Sequence, residues 1–139
     1  MPALVNLLAA SGAPRLRAAF AAAGLDGIRP GQAVALVPLA AGGLHASDLA
    51  DRLRVSRQAV AQAVVALERH DYVVRWPHPS DARARIIELT PRGGRALRVM
   101  RSNALDAEKR WRNVLGERRF GELRETLLAL LSTEAGESS

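Results

Sequence analysis

SRQAVAQAVVALERHD, residues 56–71, is the stretch on which the fold of this chain depends. It opens on Ser56, a residue type that accepts a hydrogen bond from a free N–H in the first turn of a helix. Four apolar residues then recur at the spacing of one helix face: Val60, Ala63, Val64 and Leu67. The opposite face is slim and polar near its start, and it carries Arg57, Gln58, Ala61, Gln62 and Arg69. The stretch therefore predicts an amphipathic helix with a capped start.

The polar face of this helix suits the major groove of DNA, where arginine matches guanine edges and glutamine matches adenine edges. A half-buried helix whose polar face contacts only water explains the same pattern, so the segment alone leaves both interpretations open. Residues 46–53 predict a second short helix with Leu49, Ala50 and Leu53 inward, and only Arg54 and Val55 separate it from Ser56. Two short helices joined so closely are typical of a helix-turn-helix.

A β-hairpin is predicted directly after this pair of helices. The period of the apolar residues changes from 3.6 to 2, which indicates strands over residues 72–76 and 84–89. Between them, residues 77–81 read Pro-His-Pro-Ser-Asp, a run dense in turn formers. A helix-turn-helix followed at once by such a hairpin is the winged-helix pattern.

The flanking sequences predict further helices. Before the winged helix we expect residues 3–11 and 14–23, separated at Gly12 and Pro14 because proline breaks a helix interior. A third helix is expected over residues 30–41, with a kink or an early end at Pro38 as the alternative. The positions expected to be buried in these segments are Leu4, Leu7, Leu8, Leu16, Phe20, Val34, Leu36, Val37 and Leu39.

Two C-terminal helices follow the hairpin. Thr90 and Pro91 supply a cap and a first helical residue, so we expect a helix over residues 91–115, ended by Gly116, and another over 117–132. Their apolar positions are Leu97, Met100, Ala104, Ala107, Trp111, Val114, Phe120, Leu123, Leu127, Leu130 and Leu131. Residues 133–139 are small and polar and are expected to form a flexible tail.

Composition narrows the function classes. The chain has 139 residues, of which 48% are apolar, which excludes a chain disordered by composition. Its formal charge of +6 favours a polyanionic partner. There is no cysteine, no apolar run long enough for a membrane span and no basic residue before the N-terminal apolar stretch, so we expect a cytoplasmic protein. His45, His70 and His78 belong to no catalytic or metal-ligand motif, so neither an enzyme nor a metal or cofactor site is predicted.

Several short motifs carry a resemblance to the MarR family of bacterial transcriptional regulators. They lie within residues 25–95 in the order of the family: Ile28-Arg29-Pro30-Gly31-Gln32, Ser47-Asp48-Leu49-Ala50-Asp51-Arg52-Leu53, Val55-Ser56-Arg57-Gln58-Ala59-Val60, Leu67-Glu68, Val73-Val74-Arg75, Asp81-Ala82-Arg83 and Leu89-Thr90-Pro91-Arg92-Gly93. The combination, above all D-x-R followed by T-P-x-G, is more specific than any single piece. Asp71 stands where the family usually has glycine, and we expect aspartate to keep the left-handed turn.

The resemblance implies a mainly α fold with a small β-hairpin wing. Residues 1–24 and 91–132 would form a helical dimerisation region, residues 25–90 the winged helix-turn-helix lobe, and 133–139 the tail. The break at Gly12 and Pro14 departs from the longer first helix of the family. In a homodimer, the recognition helix 56–70 would lie in the major groove and the wing 77–84 in the minor groove. The resemblance assigns Arg83 to the minor groove, and Asp81 and Arg75 to a pair that supports the wing.

The predicted function is a sequence-specific regulator, expected to be a repressor, on a pseudo-palindromic stretch of double-stranded DNA. Gln58 and Gln62 are the candidates for base contacts, and Arg57 for bases or phosphate. Ser47 and Ser56 are expected on phosphates, and Arg83 and Arg85 on the wing. The family also makes a small aromatic or anionic effector a candidate partner, which the residues leave open. The alternative is a winged helix used for protein–protein interaction without DNA readout, for which an apolar or acidic recognition face would be expected.

Overall fold

The computed structural model describes residues 1–137, without the side chains of residues 78, 81–84 and 137. Its elements are α1 (Pro2–Ser11), α2 (Ala13–Ala22), α3 (Pro30–Ala33), two 3₁₀ turns (Val34–Leu36 and Pro38–Ala41), β1 (Leu44–His45), α4 (Ala46–Leu53), α5 (Arg57–Arg69), β2 (Val73–His78), β3 (Asp81–Leu89) and α6 (Pro91–Glu137). The predicted fold class, mainly α with a β wing, is confirmed. Across the described residues, every helix is too short or too polar to span a bilayer.

The chain divides into two compact units. The first unit, Met1–Asn103, contains α1 to α5, the sheet and the start of α6, and the second begins at Ala104. The first unit surrounds one apolar core, whose largest fully buried side chains are Tyr72, Phe20, Leu36, Leu49, Leu67, Ile87, Val60 and Val73. Residues 1–24, which we assigned to the dimerisation region, therefore share a compact unit with the winged helix.

The helix-turn-helix forms as the sequence predicts. Helix α4 has the expected bounds, and its Leu49 and Ala50 are buried. Arg54 ends it in the left-handed conformation, with φ 55° and ψ 44°, which turns the chain within three residues. Ser56 then caps α5, because its Oγ accepts a hydrogen bond from the backbone N–H of Ala59 at 3.1 Å. The cap thus fixes where the second helix begins.

The wing is an antiparallel sheet of three strands in the order β1-β3-β2. The two-residue strand β1 was not predicted, because a pair such as Leu44-His45 has no period to detect. Strands β2 and β3 are longer than expected and extend into residues 77–81. Their register shifts between Pro77 and His78, which is consistent with a proline that cannot donate to the ladder.

Residues 30–41 do not form one continuous helix, because α3 ends at Ala33. Pro38 cannot donate an i→i−4 hydrogen bond, and the segment continues from α3 as two 3₁₀ turns. A 3₁₀ turn has about three residues per turn, so side chains three apart share one face. Leu36 and Leu39 are accordingly buried, whereas Val34 and Val37, which we expected inside, are 51% and 52% exposed.

Several apolar residues of the terminal helices are exposed in the single chain, contrary to our expectation. In α1, Leu4 and Leu7 are 64% and 67% exposed, and Leu8 is also exposed. In α6, the exposed residues are Val114, Leu127, Leu130 and Leu131, while Phe120 is buried. The predicted break at Gly116 is confirmed by its φ of 80°. The helix then continues through Glu137, so residues 133–137 of the expected tail are helical, and residues 138 and 139 lie outside the described residues.

Candidate nucleic-acid interface

Helix α5 presents its polar face to solvent because its apolar face is anchored. Val60, Val64 and Leu67 are buried in the core of the first unit. The outward face forms a depression lined by Gln58, Ala61, Gln62, Val65, Ala66 and Arg69. Gln58 and Gln62 are both exposed and stand one helical turn apart. Each amide offers two donors and one acceptor oxygen, which is the equipment needed to contact base edges.

The start of α5 suits a phosphate. Ser56 and Arg57 are exposed there, beside backbone N–H groups and the positive end of the helix dipole. The Ser56 hydroxyl accepts from Ala59 and keeps its own proton for a further hydrogen bond. Both residues therefore lie where the sequence placed them, at the leading end of the exposed face.

A cleft of about 340 Å³ separates the start of α4 from α5 and the wing strands. Its lining brings together three of the predicted site residues, Ser47, Arg75 and Arg85, with His45, Ala46, Ala61, Val64 and Ile87. Ser47 is half-buried and Arg85 is exposed. The fold thus gathers polar residues from α4, β2 and β3 beside the recognition helix.

Arg75 has a hydrogen-bond partner on helix α5. Its Nε and Nη2 donate to the two carboxylate oxygens of Glu68 at 2.9 Å and 2.7 Å. Arg75 pairs with Ile87 in the strand register, whereas Asp81 pairs with His78, about 10 Å farther along the strand. The hydrogen bonds from Arg75 hold the pKa of Glu68 below its usual range. Among the described side chains, Arg75 therefore contacts helix α5.

The wing residues Asp81 and Arg83 lie on β3, and their side chains are outside the described residues. Their expected roles, support of the wing and contact with the minor groove, stay predictions. Arg85, the next arginine along the strand, is exposed and pairs with Pro77. It therefore adds positive charge to the part of the wing that lies next to the tip.

Tyr72, Asp26 and Arg92 form a cluster just after the C-terminal end of α5, which the sequence did not predict. The hydroxyl of buried Tyr72 donates to the Asp26 carbonyl at 2.5 Å. Arg92 lies over the Tyr72 ring, with its guanidinium carbon 4.7 Å from the ring centre, and donates to the Asp26 carboxylate at 2.5 Å. That hydrogen bond lowers the pKa of Asp26, whereas burial raises the pKa of Tyr72. The three residues are too far apart in sequence for any local pattern to join them.

The motif Thr90-Pro91-Arg92-Gly93 joins the start of α6 to the turn at Asp71 and Tyr72. Asp71 adopts the left-handed conformation, with φ 64°, as expected where the family has glycine. Its carbonyl accepts a hydrogen bond from the Thr90 hydroxyl at 2.5 Å, and that hydroxyl accepts from the Gly93 N–H at 3.0 Å. Gly93 packs so tightly that a Cβ there would lie 2.1 Å from the Tyr72 carbonyl oxygen.

The described side chains form no group of three or more His, Asp or Glu that could hold a metal ion. Comparison with known families shows what the helix-turn-helix and the wing resemble. A family model described as the MarR family matches residues 24–84, which include the helix-turn-helix and most of the wing.

Residues 24–84 of the chain are thus similar to the MarR family.

Solved structures share the fold of this chain. A MarR transcriptional regulator from Methanosarcina mazei Go1 has a TM-score of 0.83 at 20% identity, over 97% of this chain and 96% of that one. Wild-type MarR from E. coli in its apo form has a TM-score of 0.72 at 19% identity, over 94% and 96%. A mutant of S. aureus MepR bound to an oligodeoxyribonucleotide has a TM-score of 0.61 at 21% identity, over 95% and 96%. No curated protein sequence matches the chain.

The chain carries further basic residues that we did not assign to the site. Arg29 and Arg69 line a cleft of about 500 Å³ at the end of α5, together with Gly27, Ile28, Gln32, Ala66 and His70. Both arginines are exposed. The positive surface therefore extends past the depression on α5 toward the loop before α3, a junction that only the folded chain creates.

Proposed function

We propose that this chain is a homodimeric regulator of transcription that binds double-stranded DNA in a sequence-specific manner. The observation that carries the proposal is the exposed face of the capped helix α5, with Arg57, Gln58 and Gln62 free of the core and the wing beside it. The formal charge of +6 supports a polyanionic partner. A protein of the same fold, the MepR mutant, has been solved bound to an oligodeoxyribonucleotide.

In this proposal, α5 enters the major groove and the predicted site residues divide the contacts with DNA. Gln58 and Gln62 contact base edges, where a glutamine amide can bind adenine by two hydrogen bonds. Arg57 contacts a base or a phosphate. Ser47 and Ser56 bind phosphates, which position the helix but carry no sequence information. Arg83 and Arg85 place the wing at the adjacent minor groove, where a narrow groove attracts arginine.

The exposed apolar residues of the terminal helices support a homodimer. Leu4 and Leu7 of α1 and Leu130 and Leu131 of α6 would lose water contact in an interface between two copies. Large exposed apolar patches on a single chain are typical of protein–protein contact sites. A two-fold dimer then requires a roughly palindromic site, with half-sites about 10 base pairs apart. The assignment of residues 1–24 and 91–132 to dimerisation is part of this proposal.

We propose that the protein acts as a repressor, because a protein bound at a promoter can block transcription from it. Release by a small aromatic or anionic effector stays a prediction of the family resemblance. The alternative, a winged helix that binds only protein, expects an apolar or acidic face on α5. The exposed residues there include Arg57, Gln58, Gln62 and Arg69, which does not favour it.

The experiment is a selection of duplexes from a random pool by the purified protein, followed by binding measurements at several salt concentrations. We expect enrichment of an imperfect palindrome. Each phosphate contact should make the salt dependence steeper by a slope of about −0.9. A matched pool bound by the Gln58→Ala, Gln62→Ala double variant should lose the enriched sequence and keep nonspecific binding. A parent protein that enriches no sequence would contradict the proposal.

A further inference from the structure

Arg75 and Glu68 form two parallel hydrogen bonds, which we call the fork. The fork joins helix α5, which we propose for the major groove, to the wing, which we propose for the minor groove. Glu68 is in the last turn of α5, and Arg75 is on the wing strand β2. The two parallel hydrogen bonds, 2.9 Å and 2.7 Å long, fix both a distance and an angle, as a single contact would not. Both side chains are only 36% exposed, so water competes less than at an open surface pair.

The fork lies between the helix and the tip of the wing. The chain leaves α5 through His70, Asp71 and Tyr72 and enters β2 at Val73. Arg75 then pairs with Ile87 and Pro77 with Arg85, so the outer part of the wing begins where the fork ends. A rotation of the wing about the Asp71–Tyr72 turn would have to break the fork. The positive charge of Arg85 also acts on Glu68 and favours its ionised form.

We propose that Glu68 is a positioning residue for DNA recognition, which holds the wing at a fixed angle to α5 through Arg75 so that both grooves are contacted together. This inference rests on the proposed function. It does not require Glu68 to touch DNA.

Because Glu68 is negatively charged, the inference can be tested by whether its neutralisation strengthens or weakens DNA binding. An acidic side chain near DNA repels phosphates, so its neutralisation alone should strengthen binding. Loss of a positioning contact should weaken it. The Glu68→Gln variant therefore separates the two explanations. Glu122→Gln is the matched control, because it removes the same charge from an exposed ion pair on α6, in which Arg118 donates to Glu122 at 2.8 Å.

The probe is the duplex most enriched by the parent protein, and affinity is measured by fluorescence anisotropy. We expect Glu68→Gln to weaken binding several-fold and Glu122→Gln to leave it equal or slightly stronger. Arg75→Lys keeps the charge but cannot form the fork, so it should weaken binding as much as Glu68→Gln does. All three variants should still be fully folded under the conditions of the binding assay, as urea denaturation at equal protein concentration can verify.

A double-mutant cycle with Arg83→Ala decides whether Glu68 acts through the wing. If it does, Glu68→Gln should have little further effect once Arg83 is removed. Additive effects, an Arg83→Ala variant that binds as the parent does, or stronger binding by Glu68→Gln would each overturn the inference. Those results leave DNA binding by the parent intact. A parent that binds no duplex would instead refute the proposed function, and the positioning role with it.

Discussion

Gly93→Ala should destabilise the protein strongly, because the backbone of Tyr72 occupies the space that a side chain needs. A Cβ at residue 93 would lie 2.1 Å from the Tyr72 carbonyl oxygen and 3.1 Å from Leu89 Cδ2. Ordinary van der Waals contact begins at 3.4 Å, so the start of α6 would have to move by more than an ångström. Glycine fits at residue 93 because it has no Cβ. The backbone of Tyr72 cannot move away without loss of hydrogen bonds.

The size of the effect follows from the hydrogen bonds that such a movement breaks. Thr90 N–H donates to the Tyr72 carbonyl at 3.2 Å, Thr90 Oγ1 to the Asp71 carbonyl at 2.5 Å, and Gly93 N–H to Thr90 Oγ1 at 3.0 Å. At about 0.5–1.5 kcal/mol net for each of the three bonds, their loss would cost about 1.5–4.5 kcal/mol. That is a large fraction of the roughly 5–15 kcal/mol by which domains are stable.

Gly94→Ala is the matched control, one residue farther along the same helix. Its Cβ would meet nothing closer than Arg98 Nη1 at 3.8 Å. Alanine at this position should therefore raise stability by about 0.5–1 kcal/mol, as in an ordinary helix interior. Urea denaturation followed by circular dichroism, at one protein concentration because a dimer is expected, measures both variants. Equal midpoints for the two variants would refute the reasoning.

Three further predictions concern binding, assembly and acid stability. Gln62→Ala should relax the preference at one base position per half-site by about 1–3 kcal/mol, measured by selection from a random pool; a uniform loss on all duplexes would show that Gln62 does not read a base. Light scattering should give about twice 14.9 kDa, and paired Leu4→Gln, Leu7→Gln changes should shift the mass toward the single chain; a parent that is a monomer at micromolar concentration would exclude the dimer. Because Arg75 lowers the folded-state pKa of Glu68, the stabilisation from this pair is present above the unfolded-state pKa, about 4.3, and is lost as the pH falls through the lower folded-state value. Glu68→Gln should therefore unfold with a weaker acid dependence than the parent in a urea series at descending pH, and identical dependence would remove Glu68 from that role.

The sequence could predict the elements that depend on local chemistry. The cap at Ser56, the bounds of α4 and the break at Gly116 each follow from residue types within a few positions of the event. The exposed face of α5 could be predicted for the same reason, since the spacing of Val60, Val64 and Leu67 decides which side is buried. These features need no knowledge of the rest of the chain.

The remaining features depend on which segments meet in the folded chain. Asp26, Tyr72 and Arg92 contact one another across 46 and 66 residues of sequence, and no period joins them. Arg75 bonds to Glu68 because the strand runs back beside the helix that precedes it. The leucines of α1 looked like core residues because amphipathic spacing does not say whether a face packs within one chain or between two.

The separation of buried and exposed residues on α5 has a consequence for how such a protein can change over generations. The three anchors lie in the core, and the side chains expected to read bases lie outside it. Substitutions at Gln58, Ala61 or Gln62 should each alter folding stability by under about 0.5 kcal/mol, the usual range for exposed sites. New target preferences can therefore arise by single substitutions that leave folding nearly unchanged, and after gene duplication two copies can diverge in the DNA sites that they bind while they keep one scaffold.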